Sequence, residues 1–87
     1  MSKWLPEDYN SLDRFYQQHY DKLIKIFSET RKNGGSIMKY RYIIEEATLE
    51  LGTQRVYRLA EHYKLEKQLL NVCSPMFSSL GSWHNYQ

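Results

Sequence analysis

The side chains best suited to chemistry in this chain are lysines and arginines gathered around a turn signal. Residues 33–35 read Asn-Gly-Gly, which is a strong turn signal, and the stretch from residue 22 to residue 42 contains six basic residues and one acid. Acids predominate on both sides of this stretch. Clustered cations attract polyanions, so the first function to consider for this stretch is binding to nucleic-acid phosphate.

The predicted second helix carries its charges in the order that a helix dipole disfavours. Lys39 and Arg41 lie in its first turns, where the dipole favours anions. Its acids lie toward the C-terminal end, where the dipole favours cations, and they are Glu45, Glu46 and Glu50. A phosphate bound at the basic end would account for this order, because it would meet both the bases and the free N–H groups of the helix.

Pairing with a protein is a second explanation for the same charge order, and a simple solvated surface is a third. Two molecules side by side in opposite directions would place the basic end of each against the acidic end of the other, as a two-fold dimer does. Tyr40 and Tyr42 alternate with the bases and could stack on nucleic-acid bases, although Tyr40 also falls on an apolar stripe. The residues of the protein-pairing interpretation are Glu45, Glu46, Glu50 and Tyr42.

Residues 56–73 resemble a DNA-binding helix-turn-helix, in which two short helices are joined by a tight turn. In that motif an alanine packs the first helix tightly, apolar residues bracket the turn, and further apolar residues anchor the second helix. The matching residues are Leu59 and Ala60 in the first helix, Tyr63 and Leu65 around the turn, and Leu70 and Cys73 in the second helix.

The resemblance departs from the motif at the turn itself. Lys64 occupies the position where a glycine is usual, and a lysine adopts the left-handed backbone region only at a cost of roughly 1 kcal/mol. The same residues also fit one continuous amphipathic helix, because the apolar stripe fails only at Glu66 and Lys67. A helix-turn-helix and a single helix both remain open at this point.

A helix-turn-helix would imply a definite set of DNA contacts. The side chains that would face the major groove are Glu66, Lys67, Gln68 and Asn71. Amide side chains recognise adenine there, and lysine can reach guanine. Arg55 and Arg58 would lie near the phosphate backbone and position the protein. We call the turn at residues 33–35 and the bases around it, within residues 22–42, the basic turn. With its contribution included, the predicted nucleic-acid-binding residues are Lys39, Arg41, Arg55, Arg58, Lys64, Lys67, Gln68 and Asn71.

Residues that could support catalysis or hold a metal are scattered. His19, His62 and His84 show no metal-ligand spacing, and the single cysteine, Cys73, cannot form an internal disulfide. Its apolar neighbourhood is typical of a small buried residue. We therefore expect no enzyme activity, no metal, no cofactor and no small-molecule substrate.

The elements that position these side chains are predicted to be helices. Apolar residues recur at helical spacing in four stretches, and the first stripe includes Phe15. The stretches run from Pro6 or Ser11 to Lys32, from a capping Ser36 to Gly52, from a capping Thr53 to Tyr63, and from Glu66 to Cys73. The predicted fold is an all-α single domain over residues 1–87, a small bundle of three to four helices built on an antiparallel helical hairpin.

Residues 76–87 are predicted to form an irregular C-terminal tail, which Phe77, Leu80 and Trp83 could pin to the bundle. No stretch approaches the ~20 apolar residues of a membrane span, and no signal-peptide pattern is visible. The expected location is the cytoplasm. The expected function is a small DNA-binding regulatory protein. The alternative is a protein-interaction module, an adaptor or inhibitor that could dimerise through a charge-polarised helical surface.

Overall fold

The computed structural model describes residues 5–73 and Phe77, and every regular element within them is helical. The elements pack together as a small bundle, which confirms the predicted all-α fold. The α-helices are α1 (Arg14–Asn33), α2 (Arg41–Leu51), α3 (Thr53–His62) and α4 (Glu66–Val72), and 3₁₀ turns at Tyr9–Ser11 and Met38–Tyr40 precede α1 and α2.

The first helix begins later than its sequence pattern predicts. The 3₁₀ turn Tyr9–Ser11 folds against α1 and takes the place of a first α-helical turn. The Tyr9 hydroxyl donates to Asp21 at 2.7 Å, and the Gln17 amide donates to the Tyr9 carbonyl at 3.0 Å. These tertiary contacts hold the chain away from the α1 axis until Arg14, so the predicted start at Pro6 or Ser11 is wrong.

The connection between α1 and α2 follows the predicted turn closely. Gly34 adopts a left-handed conformation with φ 72°, and its N–H donates to the Thr30 carbonyl at 2.8 Å. The Gly35 N–H donates to the same carbonyl at 3.2 Å, so both glycines cap α1. Ser36 Oγ accepts the Met38 N–H at 3.1 Å in the chain before the second helix. α2 itself begins only at Arg41 and is preceded by Tyr40, so the predicted capping of this helix by Ser36 is wrong.

The link between α2 and α3 consists of one residue. Gly52 has φ 96° and serves both as the end of α2 and as the residue before α3. Thr53 is the first residue of α3 and makes no capping hydrogen bond, so its predicted capping role is wrong. The abrupt change of direction at Gly52 lets α3 pack against both α1 and α2.

The core takes one stripe of side chains from each helix. Phe15 was expected on the stripe of α1, but it is 52% exposed and stacks edge-on against Tyr16 and His19. Ile26 and Thr30 are buried in addition to the predicted residues. The largest side chains with almost no exposure are Tyr20, Leu23, Phe27, Ile37, Ile44, Val56, Leu59, Leu69, Cys73 and Phe77.

Phe77 is the one residue of the predicted C-terminal tail that the structure describes. It is 1% exposed, and its N–H donates to the Cys73 carbonyl at 3.3 Å. Its burial agrees with the predicted anchoring by this side chain, and the irregular tail from residue 76 stays a prediction. Leu80 and Trp83 lie outside the described residues.

Candidate nucleic-acid interface

The segment that resembles a helix-turn-helix is broken into two helices at Lys64. Lys64 has φ 59°, and it is the one non-glycine residue with positive φ in the described chain. The Leu65 N–H donates to the Ala60 carbonyl at 2.8 Å, and the Lys64 N–H donates to the Glu61 carbonyl at 3.0 Å. This pair of bonds is a Schellman motif, which ends a helix. The alternative of one continuous helix is therefore excluded.

Burial on both sides of the turn explains why the helix ends here. Tyr63 and Leu65 are both buried, although they stand only two positions apart in the sequence. On a continuing α-helix two such side chains point about 200° apart, so only one of them could reach the core. The left-handed residue between them redirects the chain and buries both. This gain offsets the strain of roughly 1 kcal/mol at Lys64.

The buried face of α4 sets which side chains point outward. Leu65, Leu69 and Cys73 follow one another at four-residue spacing, and all three are buried. Leu70, the predicted anchor, is only half-buried, and Leu69 takes that role. Sequence periodicity could not separate two adjacent leucines. The opposite face of the turn and α4 is exposed, and it presents Lys64, Lys67 and Asn71.

Gln68 lies on the flank of α4 and joins it to the α1–α2 connection. Its Oε1 accepts the Ile37 N–H at 3.1 Å, and its Nε2 donates to the Gly35 carbonyl at 3.4 Å. Both ends of the amide are therefore engaged within the fold. Here Gln68 orients α4 instead of presenting a free base-reading group as predicted. It also brings the basic turn and α4 to the same end of the molecule.

The two bases at the start of the second helical segment have different surroundings. Arg41 Nε lies 2.9 Å from Glu45 Oε2, four residues on, and the two form an ion pair on the surface of α2. Lys39 Nζ lies 5.2 Å from the ring centre of Tyr40 and is otherwise exposed. The salt bridge balances the charge of Arg41, which leaves Lys39 the freer cation.

Arg55 and Arg58 lie beside the N-terminal segment of the described chain. Arg55 forms a forked pair with Asp8, with N–O distances of 3.1 and 2.5 Å, and its hydrogen bond lowers the pKa of the Asp8 carboxyl. Arg58 is exposed and lines an open cleft with Arg55, Asp8 and residues 5–7. Arg58 has no ion-pair partner within the described residues, so it remains available to an external anion.

The outward face of α2 combines apolar and charged side chains. Tyr42 is 81% exposed and Leu49, seven residues later, is 77% exposed, so the two share one face. Glu46 and Glu50 are exposed beside them, whereas Glu45 is half-buried in its pair with Arg41. Sequence reasoning identified the acids and Tyr42 but missed Leu49. Its position outside the buried stripe of α2 was the available signal.

The single cysteine is buried at the end of α4. Burial raises the pKa of the Cys73 thiol, which keeps it protonated and unreactive. In residues 5–73 and Phe77, no three His, Cys, Asp or Glu side chains are grouped so as to hold a metal ion. None of the helices described here combines the length and apolar character needed to cross a membrane.

Comparison with known proteins adds no family or relative to this picture. No protein-family model matches the chain, and no curated protein or solved structure matches it at a significant level. The interface has to be judged from its own geometry and charge.

Proposed function

We propose that this chain is a small cytoplasmic DNA-binding regulatory protein that places the outward face of α4 against duplex DNA. The observation that carries the proposal is the helix break at Lys64. It creates a separate short helix, and the exposed side of this helix and of the turn before it presents Lys64, Lys67 and Asn71. All three are among the predicted DNA-binding residues. Regulation of transcription is the role that such binding would serve.

The side chains on this face have complementary roles in the proposed complex. Asn71 can accept from and donate to an adenine edge, and Lys67, one turn earlier, can reach a guanine or a phosphate. Lys64 lies in the turn just before α4 and is exposed, so its ammonium group can reach a phosphate. Gln68 supports this face by fixing α4 to the basic turn.

The cations outside α4 contribute unequally in this proposal. Arg58 has no ion pair within the described residues and would bind the sugar-phosphate backbone. Arg41 and Arg55 would first have to leave Glu45 and Asp8, so their contributions are smaller. Lys64, Lys67 and Arg58 together would neutralise about three phosphates. The logarithm of affinity should then fall with the logarithm of salt concentration with a slope of about −2.7.

Fluorescence anisotropy of a labelled mixed-sequence duplex, titrated at several salt concentrations, tests the proposal. We expect Lys67→Ala to weaken binding and to reduce the slope by about 0.9, because one phosphate contact is lost. Arg14→Ala is the matched control: it also removes one exposed positive charge, but from the far end of α1. Absence of binding at low salt, or equal losses for both variants, would overturn the proposal.

A protein-interaction module remains the second candidate function. It is favoured by the exposed Tyr42 and Leu49 on α2, because large apolar side chains grouped on one face often mark a protein contact. An adaptor or inhibitor of this kind would lose its partner on Leu49→Asp and keep it on Lys67→Ala. If the chain binds DNA through α4, Lys67→Ala should weaken binding to the duplex and Leu49→Asp should not. The two variants therefore distinguish the two functions.

A further inference from the structure

The outward face of α2 carries exposed side chains along its whole length, and apart from Lys39 and Arg41 none of them belongs to the predicted DNA contact. Tyr42 and Leu49 lie along its centre, and Met38, just before the helix, is 57% exposed. Glu46 and Glu50 lie one turn apart, so they line one edge of this face, and Lys39 is exposed in the 3₁₀ turn just before the helix. This face therefore has an apolar centre with a cation near one end and two carboxylates toward the other.

The charges on this edge are unfavourable within a single molecule. Lys39 lies just before the N-terminus of α2 and Glu50 lies in its last turn, so each opposes the helix dipole. Glu46 and Glu50 are also like charges four residues apart, which repel on a helix surface. A second helix with the same order of charges, running in the opposite direction, would offset the cost at both ends. It would place a cation beside Glu50 and a carboxylate beside Lys39.

We propose that α2 pairs with α2 of a second copy of this chain in an antiparallel, two-fold dimer. With the axis near residue 45, positions whose numbers add up to about 90 face each other. Tyr42 then packs on Leu49 of the second copy, and Lys39 lies beside Glu50 of the second copy, with both contacts made twice. The antiparallel helix dipoles also attract each other.

The pattern of charge favours a second copy over a basic partner. A basic helix would complement Glu46 and Glu50 but would repel Lys39 at the other end of the face. A two-fold copy satisfies both ends, because it presents the same face in reverse. The face is small, since α2 has 11 residues and spans about 16 Å. We therefore expect a dissociation constant in the micromolar range or weaker, as for small interfaces.

Sedimentation equilibrium without DNA, from about 10 μM to about 1 mM protein, tests the dimer directly, since this range brackets micromolar affinities. The natural chain should approach twice its monomer mass at the highest concentrations. Leu49→Asp should remain monomeric, with its helical circular dichroism unchanged because Leu49 is exposed. Phe15→Asp is the matched control, because it makes the same kind of change at an exposed apolar side chain on α1, and this variant should dimerise normally. A natural chain that stays monomeric throughout overturns the proposal, as does equal loss in the control.

Exchange of charges between two variants provides the most specific test. Lys39→Glu and Glu50→Lys should each weaken association, because each places like charges opposite one another in the dimer. Mixed together, they should associate again, since a carboxylate at position 39 of one chain then meets an ammonium at position 50 of the other. A mixture that stays monomeric while the natural chain dimerises would overturn the proposed arrangement.

Glu46 distinguishes the self-pair from a basic partner. Its two copies approach each other near the axis, so Glu46→Gln should tighten the dimer severalfold by removing that repulsion. If Glu46→Gln instead weakens self-association, Glu46 faces a cation in the dimer, and the proposed pairing is overturned. All these measurements are made without DNA, so their outcome is independent of the proposed DNA binding.

Discussion

Two turns in this molecule share one backbone geometry but reach it by different means. α1 and α3 are each followed within two residues by a residue in the left-handed region, Gly34 with φ 72° and Lys64 with φ 59°. In both, the N–H of the next residue returns to a carbonyl five residues earlier. Glycine adopts this conformation without steric cost, whereas lysine incurs roughly 1 kcal/mol.

The difference shows which turn is local and which is imposed by the fold. Residues 33–35 form a turn on their own chemistry, while the turn at Lys64 exists because Tyr63 and Leu65 are both buried. The strained turn retains a long cationic side chain at the start of α4. Gln68 connects the two turns by bonding to Gly35 and Ile37, so a change in one is expected to affect the other.

The largest expected effect comes from the anchor that the second turn positions. Leu69→Ala should destabilise the protein by about 2–5 kcal/mol, because Leu69 has no exposed surface and the change leaves a cavity. Leu70→Ala is the matched control and should cost about 1 kcal/mol or less, since Leu70 is half-buried. Urea unfolding followed by circular dichroism measures both. If Leu70→Ala is more destabilising than Leu69→Ala, Leu70 is the buried anchor and α4 is rotated about its axis.

The first turn should respond to the loss of its glycine. Gly34→Ala should destabilise the protein by about 1–2 kcal/mol, because a side chain is strained at positive φ. No other atom lies within 4 Å of the added Cβ, so the cost is one of backbone conformation and not of packing. Gly35→Ala is the control and should cost less in the same unfolding measurement. Equal costs would contradict the special role of Gly34.

The connection between the turns should contribute less than either turn. Gln68→Ala removes two hydrogen bonds and should destabilise the protein by about 1 kcal/mol, since one of them is long at 3.4 Å. Gln18→Ala, an exposed change on α1, is the control. Hydrogen exchange at the Ile37 amide should accelerate in the first variant only. Unchanged exchange there would show that Gln68 does not hold the connection.

The smallest effect on stability is expected at the strained lysine, with a change in the opposite direction. Lys64→Gly should stabilise the fold by about 0.5 kcal/mol, because relief of strain exceeds the entropy that glycine gains in the unfolded chain. The same change should weaken DNA binding and lower the salt slope by about 0.9. Lys64→Arg keeps the charge and should keep the binding. If Lys64→Gly binds DNA as tightly as the natural chain, Lys64 is not part of the interface.

The fold was largely predictable because most of its buried side chains recur at helical spacing in the sequence. Ile37, Ile44, Ala47 and Leu51 repeat at helical spacing, and all four are buried as expected. The start of α1 was not predictable in the same way, because it depends on contacts between Tyr9 and residues 17 and 21. Such contacts join positions far apart in sequence, and no local pattern encodes them.

The candidate site was predictable by residue type but not by surroundings. Arg55, Arg41 and Gln68 have the chemistry of DNA-binding residues, yet each is engaged with another part of the chain. Lys64 and Lys67 remain exposed as expected. The sequence contains the charges, but the three-dimensional neighbours decide which of them are free.

The most direct measurement is an amide NMR titration of the ¹⁵N-labelled protein with a mixed-sequence duplex at low salt. The account predicts that shift changes concentrate at Lys64, Lys67 and Asn71, and that they disappear as salt is raised. Tyr42 and Leu49 on α2 should change little. Changes confined to α2, or no changes at low salt, would contradict the claim that the outward face of α4 binds DNA.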